Sequence, residues 1–476
     1  MSKGKELAKN TLIIMLGKIC TQFISFLLIP FYTYFLSTKE YGQVDLIITY
    51  IGLFVPVITI QLEMSMFRFL IDCRDNNKKK TGVFTNIFSV VLVLIVIFSI
   101  IYLIVSLIFK FPYKMSLYTC IIATILSNLF LQSARGLGNN IKYSAGCIIA
   151  GVSNIVFNLI FILGFKMQGN GVLVATALSN LFCTFYLFIS NKLYTLVDFN
   201  EINKNSVKKY LKYSSPLVPN SIMWWIINAS DRTIITIFIG ATANGIFAVS
   251  HKFATIVASL YNIFNLSWTE SSSLHINEDD KDEFFSDTLK KVLFFSSAVC
   301  CCMISVLPLC FNIIISHNYH EAYIYIPPLV IGSFFNIIIS FVGGIYIALK
   351  KTEAVAKTSF WSGIINIAIN LLFVKIIGVW ASAISIILAF LIMCIYRMVD
   401  VQKYVKLKIG WKSYAVIILQ FAISIILYYV NNSYLNIMNI IIMIISSIIL
   451  NRYILIALKQ IILNRKKKRL NKVLSS

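Results

Sequence analysis

Charged residues are scarce in this chain: Asp, Glu, Lys and Arg make up 13% of its 476 residues, whereas hydrophobic residues make up 58%. A soluble domain cannot hide that much apolar surface, but a lipid bilayer accommodates it. Acidic residues are the scarcer sign, with 19 Asp and Glu against 42 Lys and Arg. Because the basic residues lie in short loops between apolar runs, the positive excess indicates membrane topology and not a nucleic-acid partner.

Groups that support catalysis are also sparse. The chain has four histidines and no glycine-rich phosphate loop, and no connection is long enough for a globular enzyme domain. His317, His320 and Glu321 lie together in a predicted outer loop, but we expect neither a metal nor a cofactor there. Nine of the ten cysteines fall within or at the ends of predicted spans, where they are expected to pack as small apolar residues. The sequence therefore predicts a transporter, with an enzyme as the alternative class.

Windows of about 20 apolar residues, the length of a transmembrane helix, predict about fourteen spans. They lie near residues 11–36, 44–69, 84–109, 115–134, 143–165, 171–190, 214–239, 244–266, 292–315, 322–348, 354–374, 378–396, 413–430 and 434–458. The first contains Lys18 and lacks a small-residue cleavage site, so we expect it to remain as a helix. The longest connections, 191–213 and 267–291, are predicted to be cytoplasmic.

The distribution of basic residues supports this count. With the amino terminus in the cytoplasm, most of the 42 Lys and Arg residues fall in inner segments, including the basic tail 465–469. The outer segments hold only Lys39, Lys110, Lys114, Lys166 and Lys375. Because one missed helix would exchange the sides of all later loops, the positive-inside rule predicts a multi-pass protein with both termini inside.

The sequence also contains an internal repeat. Gly42 aligns with Gly245 at an offset of 203, and Asn158 aligns with Asn370 at an offset of 212. These offsets predict an N-terminal lobe over 1–213, a C-terminal lobe over 214–400 and two further helices with a basic tail over 401–476. Six helices per lobe would make the repeats parallel, related by an axis along the membrane normal.

Ionisable residues interrupt the apolar helices at corresponding places in the two lobes. Each intramembrane charge costs about 2.5 to 3.5 kcal/mol on insertion scales, which predicts a polar cavity on an anion pathway. The candidate cavity cations are Arg232, Lys252, Lys18 and Arg68, and the candidate carboxylates for charge pairing or ion coupling are Glu63 and Asp231. Lys18 and Arg68 lie near the cytoplasmic surface, where snorkelling or a topological role is the alternative. For the adjacent Asp231 and Arg232, we expect each side chain to meet a partner elsewhere.

Several segments resemble the polysaccharide transporters, or Wzx-type flippases, of the multidrug/oligosaccharidyl-lipid/polysaccharide exporter superfamily. They are KNTLIIMLGKICTQFISFLLIPFYTYFLSTKEYGQVDL, LEMSMFRF, LQSARGLGNNIKYS and SSPLVPNSIMWWIINASDRTIITIFIGATANGIFAVSHKF. The resemblance implies a MATE-like fold in the bacterial cytoplasmic membrane. It also implies translocation of an undecaprenyl-diphosphate-linked oligosaccharide for O-antigen, capsule or a related glycan, alongside a glycan polymerase and other assembly proteins.

A diphosphate substrate would explain the cavity cations, because Lys and Arg can replace its lost hydration. Sugars would need polar and aromatic walls, for which we name Gln22, Asn220, Trp224, Trp225 and Asn228. Coupling to a proton or sodium gradient is a further expectation. A multidrug exporter and a lipid II flippase of the same superfamily, and a membrane glycan polymerase or acyltransferase, are the alternatives.

Overall fold

The computed structural model describes residue 17, residues 22–453 and residue 456. Regular secondary structure in this part of the chain is entirely helical, which confirms the predicted all-α class. The α-helices are α1 Gln22–Phe35, α2 Thr38–Ile58, α3 Leu62–Ile71, α4 Asn77–Ile108, α5 Lys114–Gly136, α6 Asn140–Asn158, α7 Gln168–Ser190, α8 Lys204–Ser214, α9 Leu217–Phe238, α10 Ala241–His275, α11 Lys281–Ile314, α12 Ala322–Ala348, α13 Thr352–Ile377, α14 Trp380–Val401, α15 Trp411–Val430 and α16 Ser433–Leu450.

The helices suit a multi-pass membrane protein. Eleven helices in the described ranges are long and apolar enough to cross a bilayer, and α10 makes a twelfth if its two bent segments form one span. All fourteen predicted spans coincide at least in part with a helix, although the first is described only from Gln22 onward. The 22-residue α9 is not among the eleven, because its Asn, Ser, Asp and Arg side chains lower its hydropathy.

The two long cytoplasmic loops that the sequence predicted are mostly helical. Helix α8 occupies the second half of 191–213, and in 267–291 only residues 276–280 separate α10 from α11. Hydropathy detects the apolar part of a helix, whereas the helices here continue beyond it. Asp282 and Glu283 lie in the first turn of α11, where the helix dipole favours negative charge.

The second predicted span, 44–69, is a broken helix and not a continuous one. Pro56 lies in the last turn of α2, and the chain then turns at Ile60 and Gln61, whose φ angles are 51° and 57°. Such left-handed conformations are unusual for residues other than glycine, and they occur where the surrounding structure fixes them. Helix α3 begins immediately afterwards at Leu62. The break was hidden from sequence analysis because apolar residues continue through it.

The chain forms two compact units. The first contains α1 to α9 and the start of α10, up to Val249, together with residues 315–319 and 367–382. Within it α5 and α6 pack on α7, α3 packs on α5, and α2 packs on α9. The core of this unit includes Met66, Phe84 and Cys183, all fully buried.

The second unit contains residues 250–314, 320–366 and the described residues from 383 to 453. Helix α11 packs on α12, α15 and α16. The Trp268 ring stacks on Phe341 at 4.1 Å, and its indole N–H donates to the Phe341 carbonyl at 2.9 Å. The lobe boundaries at 213 and 400 stay a prediction.

The glycines paired by the repeat alignment meet in the first unit. A Cβ on Gly42 would lie 1.9 Å from the Ala241 carbonyl oxygen, and a Cβ on Gly245 would lie 2.0 Å from the Thr38 carbonyl oxygen. Thr38 and Ala241 are separated by the same offset of 203 as the glycines, so the contact is reciprocal. The starts of α2 and α10 therefore cross as equivalent elements of the predicted repeat.

Candidate functional site

Helix α9 is fastened to α2 within the first unit by polar and aromatic contacts. The indole N–H of Trp225 donates to the Thr49 carbonyl at 2.7 Å, and the Tyr50 and Thr233 hydroxyls lie 3.1 Å apart. The Tyr50 and Trp225 rings are 5.3 Å apart. In a hydrocarbon environment such hydrogen bonds satisfy polar groups that water cannot reach. These contacts fix the face of α9 that carries the predicted charges.

A buried ion pair lies on that face. The Arg232 Nε donates to the Asp45 Oδ2 at 2.7 Å, and the two side chains are only 11% and 9% exposed. The Arg232 backbone carbonyl accepts a hydrogen bond from the Thr236 hydroxyl at 2.7 Å. A guanidinium buried beside a carboxylate avoids the full cost of an isolated charge in an apolar medium.

Asp231 contacts a different helix. Its Oδ1 accepts a hydrogen bond from Asn370 Nδ2 at 2.7 Å, and the Asn370 Oδ1 in turn accepts from the Ser382 hydroxyl at 3.1 Å. Successive residues point about 100° apart around a helix. The structure therefore confirms the expectation that Asp231 and Arg232 meet partners elsewhere, one on α13 and the other on α2.

Glu63 and Arg68, both on α3, have different environments. The Thr59 hydroxyl donates to Glu63 Oε2 at 2.8 Å, so the helix break orients this partly buried carboxylate. Arg68 is exposed and pairs at 2.5 Å with Asp72, the C-cap residue that follows α3. Exposed ion pairs of this kind contribute little to stability. Arg68 thus has the environment of a surface residue. This agrees with the alternative that Arg68 has a topological role and does not line a cavity.

The remaining predicted residues have diverse environments. Lys252 lies on α10 in the second unit and is partly exposed. Gln22, Asn220 and Trp224 are exposed. The indole N–H of Trp225 donates to the Thr49 carbonyl on α2. Lys18 lies outside the described residues, and so does the side chain of Asn228.

Sequence reasoning missed two residues of this site. It gave Asp45 no role, although Asp45 is an acid inside the predicted span 44–69. Asn370 was predicted only as part of the repeat and not as a partner for Asp231.

No group of three or more His, Cys, Asp or Glu side chains that could hold a metal ion occurs among the described residues.

Several solved structures that share this fold are named as transporters or flippases. The chain is similar to the lipid II flippase MurJ in an inward closed conformation, with a TM-score of 0.71, 16% identity, and coverage of 95% of this chain and 99% of that one. It is also similar to an inward-facing multidrug resistance MATE family transporter of the MOP superfamily, with a TM-score of 0.68, 12% identity, and coverage of 82% and 98%. A MOP superfamily transporter from Pyrococcus furiosus gives a TM-score of 0.55 at 14% identity, with coverage of 83% and 95%. At these identities the likeness establishes the MATE-like fold.

Sequence comparison gives a family. A family model described as polysaccharide biosynthesis protein matches residues 7–268, which is more than half of the chain. No sequence among the curated proteins matches the chain.

Proposed function

Because the chain belongs to the family of polysaccharide biosynthesis proteins, we propose that it is a flippase for a lipid-linked oligosaccharide. Its substrate would be an undecaprenyl-diphosphate-linked glycan, carried from the cytoplasmic to the outer leaflet of a bacterial cytoplasmic membrane. A polymerase and other assembly proteins would then build it into O-antigen, capsule or a related surface polysaccharide. Both chain termini would lie in the cytoplasm.

The observation that carries this proposal is the Arg232 to Asp45 pair inside a membrane fold of the transporter type. A guanidinium offers the same planar pair of donors to a carboxylate and to a phosphate. We propose that the lipid diphosphate replaces Asp45 as the partner of Arg232 during transport, and that Lys252 and Lys18 add positive charge. The exchange keeps the guanidinium paired, so that it does not become an isolated charge in the bilayer.

This exchange gives a reason for coupling to an ion gradient. When the phosphate binds the Arg232 guanidinium, the Asp45 carboxylate loses its cationic partner. Binding of a proton or a sodium ion would then compensate for the uncompensated negative charge. Glu63 and Asp231 are the other carboxylates that we propose for this role, since each already accepts a hydrogen bond from a neutral side chain. Coupling through them would make turnover depend on the gradient.

The test is the lipid pool of a strain that lacks the gene. We expect an undecaprenyl-diphosphate oligosaccharide to accumulate on the cytoplasmic leaflet, and the wild-type protein to restore both its export and the surface glycan. Purified protein in vesicles should also move this extracted lipid between leaflets.

Three outcomes contradict the proposal. Accumulation of lipid II would assign the chain to the peptidoglycan precursor, and accumulation of soluble drugs with normal lipid pools would indicate a multidrug exporter. Altered glycan length or acylation with normal translocation would indicate an enzyme.

A further inference from the structure

A polar cavity lies inside the first unit, between the broken α2 and α3 segments and helices α5 and α7. Its volume is about 440 Å³. Its wall is apolar on α2, where Ile48, Ile51, Val55 and Pro56 line it. The polar side of the wall consists of Gln61, Glu63, Thr124, Asn128, Thr176 and Asn180. All six polar side chains are partly exposed, and Glu63 among them is an ionisable residue within a predicted span, where such residues mark candidate functional sites.

The polar side is built from a duplicated motif. Residues 123–130 on α5 read ATILSNLF, and residues 175–182 on α7 read ATALSNLF, so seven of the eight positions are identical. The helices lie side by side and run in the same direction. The Cys120 thiol donates a hydrogen bond to the Leu173 carbonyl, and one turn later on α5 and two turns later on α7 the Asn180 amide donates to the Thr124 hydroxyl. In both copies the Ser is buried while the Thr and the Asn are partly exposed. The motif thus presents the same Thr and Asn pair to the cavity twice.

The amide groups of this wall have hydrogen-bonding capacity to spare. Asn180 Nδ2 donates to the Thr124 hydroxyl at 3.2 Å, but within the described part of the chain the Asn128 amide makes no hydrogen bond. Glu63 Oε2 accepts from the Thr59 hydroxyl, and an ionised carboxylate has about four lone-pair sites for further hydrogen bonds. The left-handed turn at Ile60 and Gln61 places Gln61 and Glu63 at the cavity. The site therefore offers several amide, hydroxyl and carboxylate groups beside an apolar surface.

Size and charge identify the class of ligand. Ligand pockets measure roughly 300 to 1,000 Å³, whereas a single water takes about 30 Å³, so a monatomic cation would leave most of this cavity unfilled. None of the described residues that line the cavity is basic, and Glu63 is acidic, which disfavours anionic groups such as phosphates and uronic acids. Neutral sugars combine hydroxyls, which suit amides and carboxylates, with C–H faces, which suit aliphatic side chains.

We propose that this cavity binds an uncharged sugar residue of the transported glycan, with Asn128 and Asn180 as the principal hydrogen-bonding residues. The proposal rests on the proposed flippase function and adds to it a sugar subsite that is distinct from the Arg232 to Asp45 pair. The duplicated motif gives two matched positions at which to test it.

The experiment measures binding by thermal unfolding of the purified protein. One probe is the free oligosaccharide released by mild acid from the lipid pool of the deletion strain, and the other is undecaprenyl diphosphate without sugar. We expect Asn128→Ala and Asn180→Ala each to weaken binding of the free oligosaccharide at least tenfold and to leave binding of the diphosphate lipid unchanged. Asn128→Ala should fold normally, because its amide holds no described residue in place. Ser127→Ala is the matched control, since this neighbour is buried and lies about 100° away around α5.

The outcomes separate this inference from the proposed function. If the wild-type protein flips the extracted lipid but does not bind the free oligosaccharide, or if both variants bind it as the wild type does, the sugar subsite is wrong. If sodium chloride stabilises the wild-type protein, if both variants abolish that stabilisation, and if the sugar has no effect, the cavity is a cation site instead. If the wild-type protein neither exports nor binds the extracted lipid, it is the flippase proposal that fails.

Discussion

Removing either member of the Arg232 to Asp45 pair should leave the other charge stranded among membrane helices. The two groups are 2.7 Å apart, and about nine-tenths of each side chain is buried. Breaking a buried pair at one partner typically costs about 3 to 5 kcal/mol, because the remaining charge keeps its desolvation penalty. Replacing both partners by apolar residues of similar size is often neutral or stabilising. We therefore expect Arg232→Met and Asp45→Leu to destabilise the protein separately and to compensate one another when combined.

Flipping should respond differently from stability. If Arg232 takes the diphosphate, the double variant will regain its thermal unfolding temperature but will not restore export of the lipid-linked glycan. The assay is therefore a double-mutant cycle with two readouts: unfolding of the purified protein, and translocation of the extracted lipid in vesicles. Arg232→Lys is a useful intermediate, since it keeps the charge but loses the bidentate geometry.

Two results would refute this reasoning. Single variants as stable as the wild type would mean that the pair is not buried in the membrane. A double variant that flips the lipid at the normal rate would show that Arg232 serves the fold alone, and the phosphate would then need another partner.

The remaining predictions concern the helix crossing, ion coupling and a tryptophan. Gly42→Ala and Gly245→Ala should each lower the unfolding temperature, because their Cβ atoms would lie about 2 Å from carbonyl oxygens, whereas Gly52→Ala, with no atom within 4 Å, should not. Asp231→Asn should fold normally but abolish the dependence of flipping on proton and sodium gradients; an unchanged response to collapsing both gradients would exclude coupling through this residue. Trp225→Phe loses the hydrogen bond to α2 and should cost about 1 kcal/mol of stability. If this variant is stable yet loses transport, Trp225 contacts the sugar as the sequence suggested.

The helices were predictable because apolar length is a strong signal. Each of the fourteen apolar windows coincides at least in part with an α-helix in the described part of the chain, and the second covers both α2 and α3. The same windows could not find the break at Ile60 and Gln61, since backbone conformation there depends on neighbouring helices and not on hydropathy. They also missed the polar extensions of α10 and α11 beyond the apolar windows.

The site was less predictable than the fold, because depth and partners are tertiary properties. Arg68 and Arg232 both interrupt apolar segments of the sequence, yet one is exposed beside Asp72 and the other is buried beside Asp45. Only the packing of α2 on α9 distinguishes them. The duplicated Thr and Asn motif was visible in the sequence, but its relevance depends on α5 and α7 lying side by side.

Helix α2 connects these features physically. It crosses α10 at Gly42, pairs with α9 through Asp45, accepts a hydrogen bond from Trp225 at Thr49, and ends at the break that exposes Glu63 to the cavity. A buried ion pair is weak evidence for stability, since apolar residues would hold two helices at least as well. Under the proposed function, exchange explains the pair between α2 and α9: a carboxylate that phosphate can replace would keep the guanidinium paired until the substrate binds.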